Sequence, residues 1–128
     1  LNTGSPHAVF FVEELDQSDF VEKAKAIRYS QDYADKGVNV NFVKADQRGL
    51  EMRTYERGVE DETLSCGTGV VAAALAAHSK KLIQSHRVSV KTKGGHLTVS
   101  FNSKADNKFE EIFLEGPVGE VFSGAMDI

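Results

Sequence analysis

One cysteine, Cys66, is the only thiol in this 128-residue chain. An internal disulfide is therefore excluded, and the composition suits a reducing compartment, with the cytoplasm as the expected location. No run of about 20 apolar residues is present, so no segment reads as a membrane-spanning helix, and no signal-peptide pattern is legible. Positive charge is in deficit: fifteen basic residues stand against nineteen acidic ones, for a formal net charge of -4. With no basic patch interleaved with aromatics, neither a nucleic-acid nor a membrane partner is expected. His78, His86 and His96 fall at a helix end and at strand ends without metal-ligand spacing, so they read as structural and no metal site is expected. No repeat or low-complexity segment occurs. What the chain does contain, 41% hydrophobic and 27% charged residues, is enough for a single domain over residues 1–128. It opens on Leu1 rather than methionine and runs at once into Asn2-Thr3-Gly4-Ser5-Pro6-His7, which reads as a piece of a longer protein.

The organising stretch is Arg53 to Leu82. Cys66 is followed by Gly67-Thr68-Gly69 and then by an apolar run from Val70 to Ala77 that leaves no polar stripe at helical spacing. Such a helix is expected to be buried on every side, with Lys80 and Lys81 in its last turn, where cations suit the helix dipole. Ser65 is a candidate N-cap. The free N–H groups of Gly67, Thr68 and Gly69 offer a cradle for a carboxylate or phosphate, and the same end of the helix favours a thiolate. The two glycines allow another group close to the backbone. One segment thus places a nucleophile or base beside an anion site, although a lone cysteine near an apolar helix is more often just a small buried core residue, and it is the flanking glycines and the polar Glu56, Arg57, Glu62 and Thr63 upstream that favour function.

Around this helix the chain reads as strands with one further helix. Gly4 to His7 form a turn into a strand, Ala8 to Val12, with His7 at the loop–strand junction. Asp16 to Ser30 reads as a helix with Asp19 near its cap and an apolar stripe of Phe20, Ala24 and Ile27. Val38 to Val43 alternates, with Asn39 and Asn41 on one face, either wet or lining a polar cavity. Ala45 to Gly49 turns, with Gly49 expected at positive φ. Leu50 to Arg57 returns and delivers Glu56-Arg57-Gly58, and Val59 to Ser65 is a loop. Beyond the central helix come strands over His86 to Thr92, Leu97 to Phe101, Phe109 to Glu115 and Val118 to Phe122. Gly94-Gly95 marks a hairpin, and Ser103 to Lys108 is a polar turn.

The run ERGVEDETLSCGTG at 56–69 resembles the C-terminal half of the diaminopimelate epimerase family, with its Tyr-Glu-Arg-Gly segment, its Glu-Thr pair and a Cys-Gly-Thr/Ser-Gly motif opening a buried helix. Gly4-Ser5-Pro6-His7 resembles the family's Gly-Asn-Pro-His turn, and Gly37-Val38-Asn39 its asparagine-containing strand. Gly94-Gly95 and Gly116-Pro117 resemble its closing strands. The likeness covers nearly the whole chain. It implies a mixed α+β fold: one pseudo-symmetric half, a curved, mostly antiparallel sheet wrapped around a buried central helix. It also implies an isomerase of lysine biosynthesis that converts LL- to meso-diaminopimelate without pyridoxal phosphate, metal or other cofactor. In such an enzyme one cysteine takes the α-proton as thiolate while a second, from the opposite half, returns one as thiol. By resemblance Cys66 is one acid/base, and Glu56 helps set its protonation state. His7 matches the histidine associated with the other half's cysteine. Asn39, Arg57, Glu56 and Ser5 match substrate-binding positions, and Gly67 and Thr68 match backbone donors to the α-carboxylate. Ser5 departs from the family's asparagine, and the loop over 59–62 is one residue longer than the common form. The implied partners are an amino-acid substrate and the N-terminal half of the same protein. A homodimer is compatible with the family, and the oligomeric state stays open.

With no second cysteine, this chain is expected to be inactive alone. Three other readings stand beside the first. One is a related racemase acting on another amino acid, such as a proline-racemase-like enzyme. Another is a hydrolase with Cys66 as nucleophile and His7 or His78 as base, which needs a histidine within roughly 3.2 Å of the sulfur. The last is a non-catalytic anion-binding module.

Overall fold

The computed structural model describes residues 1–128. Its elements run β1 (His7–Phe11), α1 (Phe20–Arg28), β2 (Asn39–Asp46), β3 (Gly49–Glu56), β4 (Asp61–Thr63), α2 (Gly67–Ser79), β5 (Arg87–Thr92), β6 (Gly95–Lys104), a short 3-10 turn (Ala105–Asn107) and β7 (Lys108–Glu115). The strands make one sheet in the order β1-β2-β3-β5-β6-β7, with β4 paired to β3 off that path. Only β1–β2 and β3–β5 pair in parallel; the other ladders are antiparallel. Helix α2 touches both edge strands, β1 and β7, and also β2, β3, β5 and β6. One helix can meet both ends of a sheet only if the sheet curls. The mixed α+β class and the mostly antiparallel, curled sheet are as the sequence implied.

Alternation along β2 and β3 sorts the core into two layers, because successive side chains leave opposite faces. Val38, Val40, Phe42 and Tyr55 pack with Leu15, Phe20 and Ala24 under α1. Val43, Leu50 and Met52 pack with Val70, Ala73, Ala74 and Ala77 of α2, joined by Val88, Val90, Val99 and Phe101. Asn39 and Asn41 point to the α2 side and both are buried. The wet-face alternative is thus excluded, and both amides are bonded within the chain.

Where β3 meets β5, Gly49 sits at φ +143°, and a Cβ there would collide with the Ser89 carbonyl oxygen. The expected positive φ is present, and backbone proximity adds a second demand for glycine. At the β5–β6 turn the need is one of space. A Cβ on Gly94 would lie 3.1 Å from both Cβ and O of Leu64, and Gly94 N–H donates to the Leu64 carbonyl at 2.7 Å. The hairpin thereby pins the loop that leads to Cys66.

Four expectations are corrected. The first helix is shorter than Asp16–Ser30. The carbonyls of Leu15 and Gln17 accept from Arg53 Nη1 at 3.1 and 2.9 Å, which holds that segment out of helix. Asp19 is the N-cap position but makes no capping bond; it pairs with Lys23 instead at 3.1 Å. The loop after β3 contains β4, which the polar sequence Asp61-Glu62-Thr63 hid. It forms because Glu62 takes a two-pronged bond from Arg53 at 2.7 and 2.8 Å. The N-cap of α2 is Cys66, not Ser65, and no side chain caps it. Finally, Val118 to Phe122 is not a strand: no ladder partner adjoins it, Val118 is 98% and Phe122 85% exposed, and an extended segment without a neighbour gains no sheet stabilisation. No helix is long and apolar enough to cross a membrane.

Candidate functional site

The N-terminus of α2 meets the starts of β1 and β2 and the end of β3. The Cys66 carbonyl accepts the first helical bond, from Val70 N–H at 2.9 Å. The N–H groups of Gly67, Thr68 and Gly69 have no partner within the chain, as the first turn of a helix requires. Cys66, directly before them, is half-buried, and its Sγ lies 3.5 Å from Thr68 Oγ1.

The register of three strands builds the floor of this site. Parallel pairing sets His7 beside Asn39 and Val9 beside Asn41, and antiparallel pairing sets Asn41 beside Thr54. His7 is 3% exposed. Its Nε2 is 2.9 Å from Thr68 Oγ1 and 3.1 Å from Ser5 Oγ, while its Nδ1 is 3.0 Å from Asn41 Nδ2. Asn39 Nδ2 donates to Ser5 Oγ at 2.9 Å and to the Pro6 carbonyl at 3.3 Å, and Asn39 Oδ1 accepts Arg57 N–H at 2.8 Å. Thr3 Oγ1 donates to the Thr68 carbonyl at 2.7 Å. Ser5, His7, Asn39, Thr68 and Cys66 are thus brought into one bonded cluster, with Gly67 between the last two in sequence and Asn39 spent on internal bonds.

Glu56 and Arg57 form the neighbouring corner. Glu56 ends β3 half-buried, opposite Asp61, with no bond to its carboxylate. Arg57 is exposed; its Nη1 donates to the Lys36 carbonyl at 2.7 Å. Its side chain lies over Gly37, where φ is +71° and a Cβ would stand 2.5 Å from Arg57 Cδ, so only glycine leaves the guanidinium this path. The loop over 59–62 is closed by Glu60, at φ 60°. Its carboxylate accepts from Gly58 N–H, Arg28 and Tyr29 and is thereby held below the usual carboxylate range.

Sequence reasoning missed Asn41 and Thr54 as site residues. The signal was present: two asparagines in a strand are unfavourable unless a buried polar partner waits for them. His78, by contrast, is confirmed as packing. It lies at the far end of α2, with ring centroids 4.9 Å from His86 and 5.2 Å from Phe101. Neither His7 nor His78 bonds to the sulfur, so the direct cysteine–histidine dyad of a hydrolase is not formed. Two clefts lie away from the Cys66 sulfur. One of about 530 Å³ is lined by Arg53, Glu62 and Lys93, and one of about 740 Å³ by Val71, Leu75, Phe109 and Ile112.

Burial, aided by the N-terminal ammonium and Arg57, pulls the His7 pKa down from 6.5 to about 4. The unfolded chain therefore binds the extra proton first as pH falls. The stability that His7 contributes is complete above pH 6.5 and is lost as the pH drops towards 4. Allowing for solvent at the rim and for the ammonium's share, the expected loss is about 2 kcal/mol. Urea titrations at pH 7 and pH 4.5 check it: His7→Gln should reduce the difference between them, and an unchanged difference would contradict the assignment.

The family model described as diaminopimelate epimerase matches residues 1–120. The chain is 46% identical over 123 residues to the diaminopimelate epimerase of Flavobacterium psychrophilum, covering 95% of the chain and 48% of that protein. It is 50% identical over 127 residues to that of Methanothrix thermoacetophila, covering 98% and 42%. The chain thus spans less than half the length of these curated relatives. Among solved structures it resembles a phenazine biosynthesis PhzF-family protein of Enterococcus faecalis, with TM-score 0.61 and 18% identity over 81% of this chain and 36% of that one. A phenazine biosynthesis PhzC/PhzF protein of Clostridium difficile gives TM-score 0.60 at 19% identity, covering 77% and 34%. At that identity the likeness is one of fold.

Proposed function

The chain belongs to the diaminopimelate epimerase family, and from that premise we propose that it supplies one face of a site that interconverts LL- and meso-diaminopimelate, with Cys66 as one of two acid/base groups. One observation carries this reading: the half-buried Cys66 sulfur sits at the N-cap of α2, beside three N–H groups without partners and 3.5 Å from a hydroxyl. A carboxylate seated on those N–H groups would place its adjacent α-carbon near the sulfur, with the helix dipole opposing the charge that builds as the α-proton leaves.

In this reaction Cys66, as thiolate, takes the α-proton from one face, and a thiol on the other face returns a proton to the carbanion. In the reverse direction the roles exchange, and no proton is gained or lost overall. The chemistry uses only thiols as proton carriers and calls on no cofactor. Glu56, whose carboxylate makes no bond within the chain, is the residue we assign to helping set the protonation state of the sulfur. Arg57 is suited to a two-pronged contact with a substrate carboxylate. Ser5 and Asn39 act mainly by fixing His7 and the Arg57 backbone, since both ends of the Asn39 amide are engaged within the chain. The second thiol must come from another segment, for which the preceding half of a full-length protein is the proposed source.

Incubation with LL-diaminopimelate in deuterated water tests this. The full-length protein should deuterate the α-carbon and form the meso isomer, whereas the 128-residue chain alone should do neither. Rapid deuteration with inversion by the chain alone would refute the two-thiol scheme. Activity of the full-length protein on a different amino acid, with none on diaminopimelate, would move the assignment to a related racemase.

A further inference from the structure

His7 is engaged at both ring nitrogens, and the group at the inner nitrogen has a fixed orientation. Asn41 is fully buried. Its Nδ2 stands 3.2 Å from the Ala8 carbonyl oxygen, which can only accept, so that end of the amide is the NH₂ group. Its Oδ1 accepts from the Thr54 hydroxyl at 2.9 Å. The remaining N–H of the amide points at His7 Nδ1, 3.0 Å away. A ring nitrogen that accepts carries no proton, so in the neutral imidazole the proton is on Nε2. Burial keeps the ring neutral at pH 7.

The consequence runs outward. Nε2–H donates to Thr68 Oγ1, the nearer of its two hydroxyl neighbours at 2.9 Å. Ser5 Oγ, at 3.1 Å, already accepts from Asn39. With a lone pair occupied by the ring, the Thr68 hydroxyl proton is directed away from His7, towards Cys66 Sγ at 3.5 Å or Ser5 Oγ at 3.4 Å; Ser5 Oγ already accepts from Asn39, which leaves the sulfur as the open acceptor. A donor aimed at sulfur favours the thiolate. With the opposite tautomer Nε2 would accept, draw the Thr68 proton to itself and leave the sulfur without a donor.

We propose that Asn41, held by Thr54 and the Ala8 carbonyl, is a positioning residue that locks His7 in the Nε2–H tautomer and so directs the Thr68 hydroxyl proton towards Cys66. The link to catalysis rests on the epimerase reading above; the tautomer and the reactivity of the thiol do not. The groups facing the ring are Asn41, Ser5 and Thr68, with the N-terminal ammonium and Arg57 as the charges that act on it. Each member of the relay comes from a different element: His7 from β1, Asn41 from β2, Thr54 from β3 and Thr68 from α2.

Long-range ¹H–¹⁵N spectra of the 128-residue chain report the tautomer directly. It has four histidines, and His7→Gln identifies the His7 signals. Wild type is expected in the Nε2–H form, and the Nδ1–H form in wild type would by itself overturn the proposal. Asn41→Asp presents a carboxylate to Nδ1, so it should move the proton to Nδ1 and raise the midpoint of the His7 titration. Cys66 alkylation by iodoacetamide at pH 7 should then slow about tenfold. Thr68→Val, which keeps the tautomer but removes the hydroxyl, should slow it similarly. An Asn41→Asp chain that keeps the Nε2–H form refutes the lock. A reversed tautomer with unchanged alkylation, or Thr68→Val with unchanged alkylation, refutes the relay to sulfur. Failure of the epimerase reading shows separately, as absent deuterium exchange in the full-length protein while these spectra and rates behave as expected.

Discussion

Cys66→Ala in the full-length protein is expected to lower diaminopimelate epimerisation by about 10²–10⁴-fold, the usual contribution of a positioned acid/base group. The fold should survive. Cys66 is the N-cap residue of α2 but its side chain makes no capping bond, and it is only half-buried. The cost to stability should therefore stay within about 1 kcal/mol, as for a site away from core and caps. What is lost is the one sulfur next to the open N–H groups of the first turn. The pattern of the loss is as informative as its size. With one face stripped of its thiol, the other can still exchange the α-proton of the stereoisomer presented to it. Inversion should then vanish while slow deuteration persists for one isomer and not for the other. Equal loss of exchange from both isomers would point to a single base serving both faces. Epimerisation within threefold of wild type would remove Cys66 from the mechanism altogether.

The sequence made this end of the helix legible for local reasons. A lone cysteine before Gly-Thr-Gly, followed by Val70 to Ala77 without a polar stripe, fixes helix, orientation and thiol together. The strands over residues 38–43, 50–57, 86–92 and 97–101 were equally open to alternation. The failures share one cause: bonds made by partners distant in sequence. Residues 16–19 stay out of helix because Arg53 binds the carbonyls of Leu15 and Gln17. β4 exists because Arg53 also grips Glu62. The apolar Val118 to Phe122 has strand composition but no neighbouring strand to pair with. The roles of Asn41 and Thr54 were hidden for the same reason. Alternation shows that Asn41 shares a face with Asn39, but only the register Val9↔Asn41 and Asn41↔Thr54 reveals a histidine above it and a hydroxyl behind it.

Gly69→Ala should destabilise the chain by about 3 kcal/mol, against the gain of up to about 1 kcal/mol that alanine usually brings to a helix interior. A Cβ at this position would stand 2.8 Å from Asn41 Oδ1 and 3.2 and 3.4 Å from His7 Cε1 and Nδ1. Neither neighbour can swing away cheaply. Asn41 is tied by Thr54, His7 and the Ala8 carbonyl, and His7 by Thr68 and Ser5. Relief means either lifting α2 off the sheet or breaking a buried hydrogen bond, each a cost well above the propensity gain. Gly67→Ala is the control on the same helix. There the nearest atom is Leu114 Cδ2 at 3.1 Å, the tip of a side chain that is 42% exposed and free to turn, so stability should change by less than about 1 kcal/mol. Urea midpoints of the two variants, compared at equal denaturant slope, separate the cases. A Gly69→Ala chain as stable as wild type would show that His7 and Asn41 yield readily, and the packed floor beneath Thr68 and Cys66 would then be too soft to hold a tautomer. The two glycines therefore have different tasks. Gly67 lies in the first turn, where its N–H has no partner within the chain. Gly69 admits the chain's own histidine and asparagine, and in doing so fastens the helix that carries the thiol to the strands that orient it.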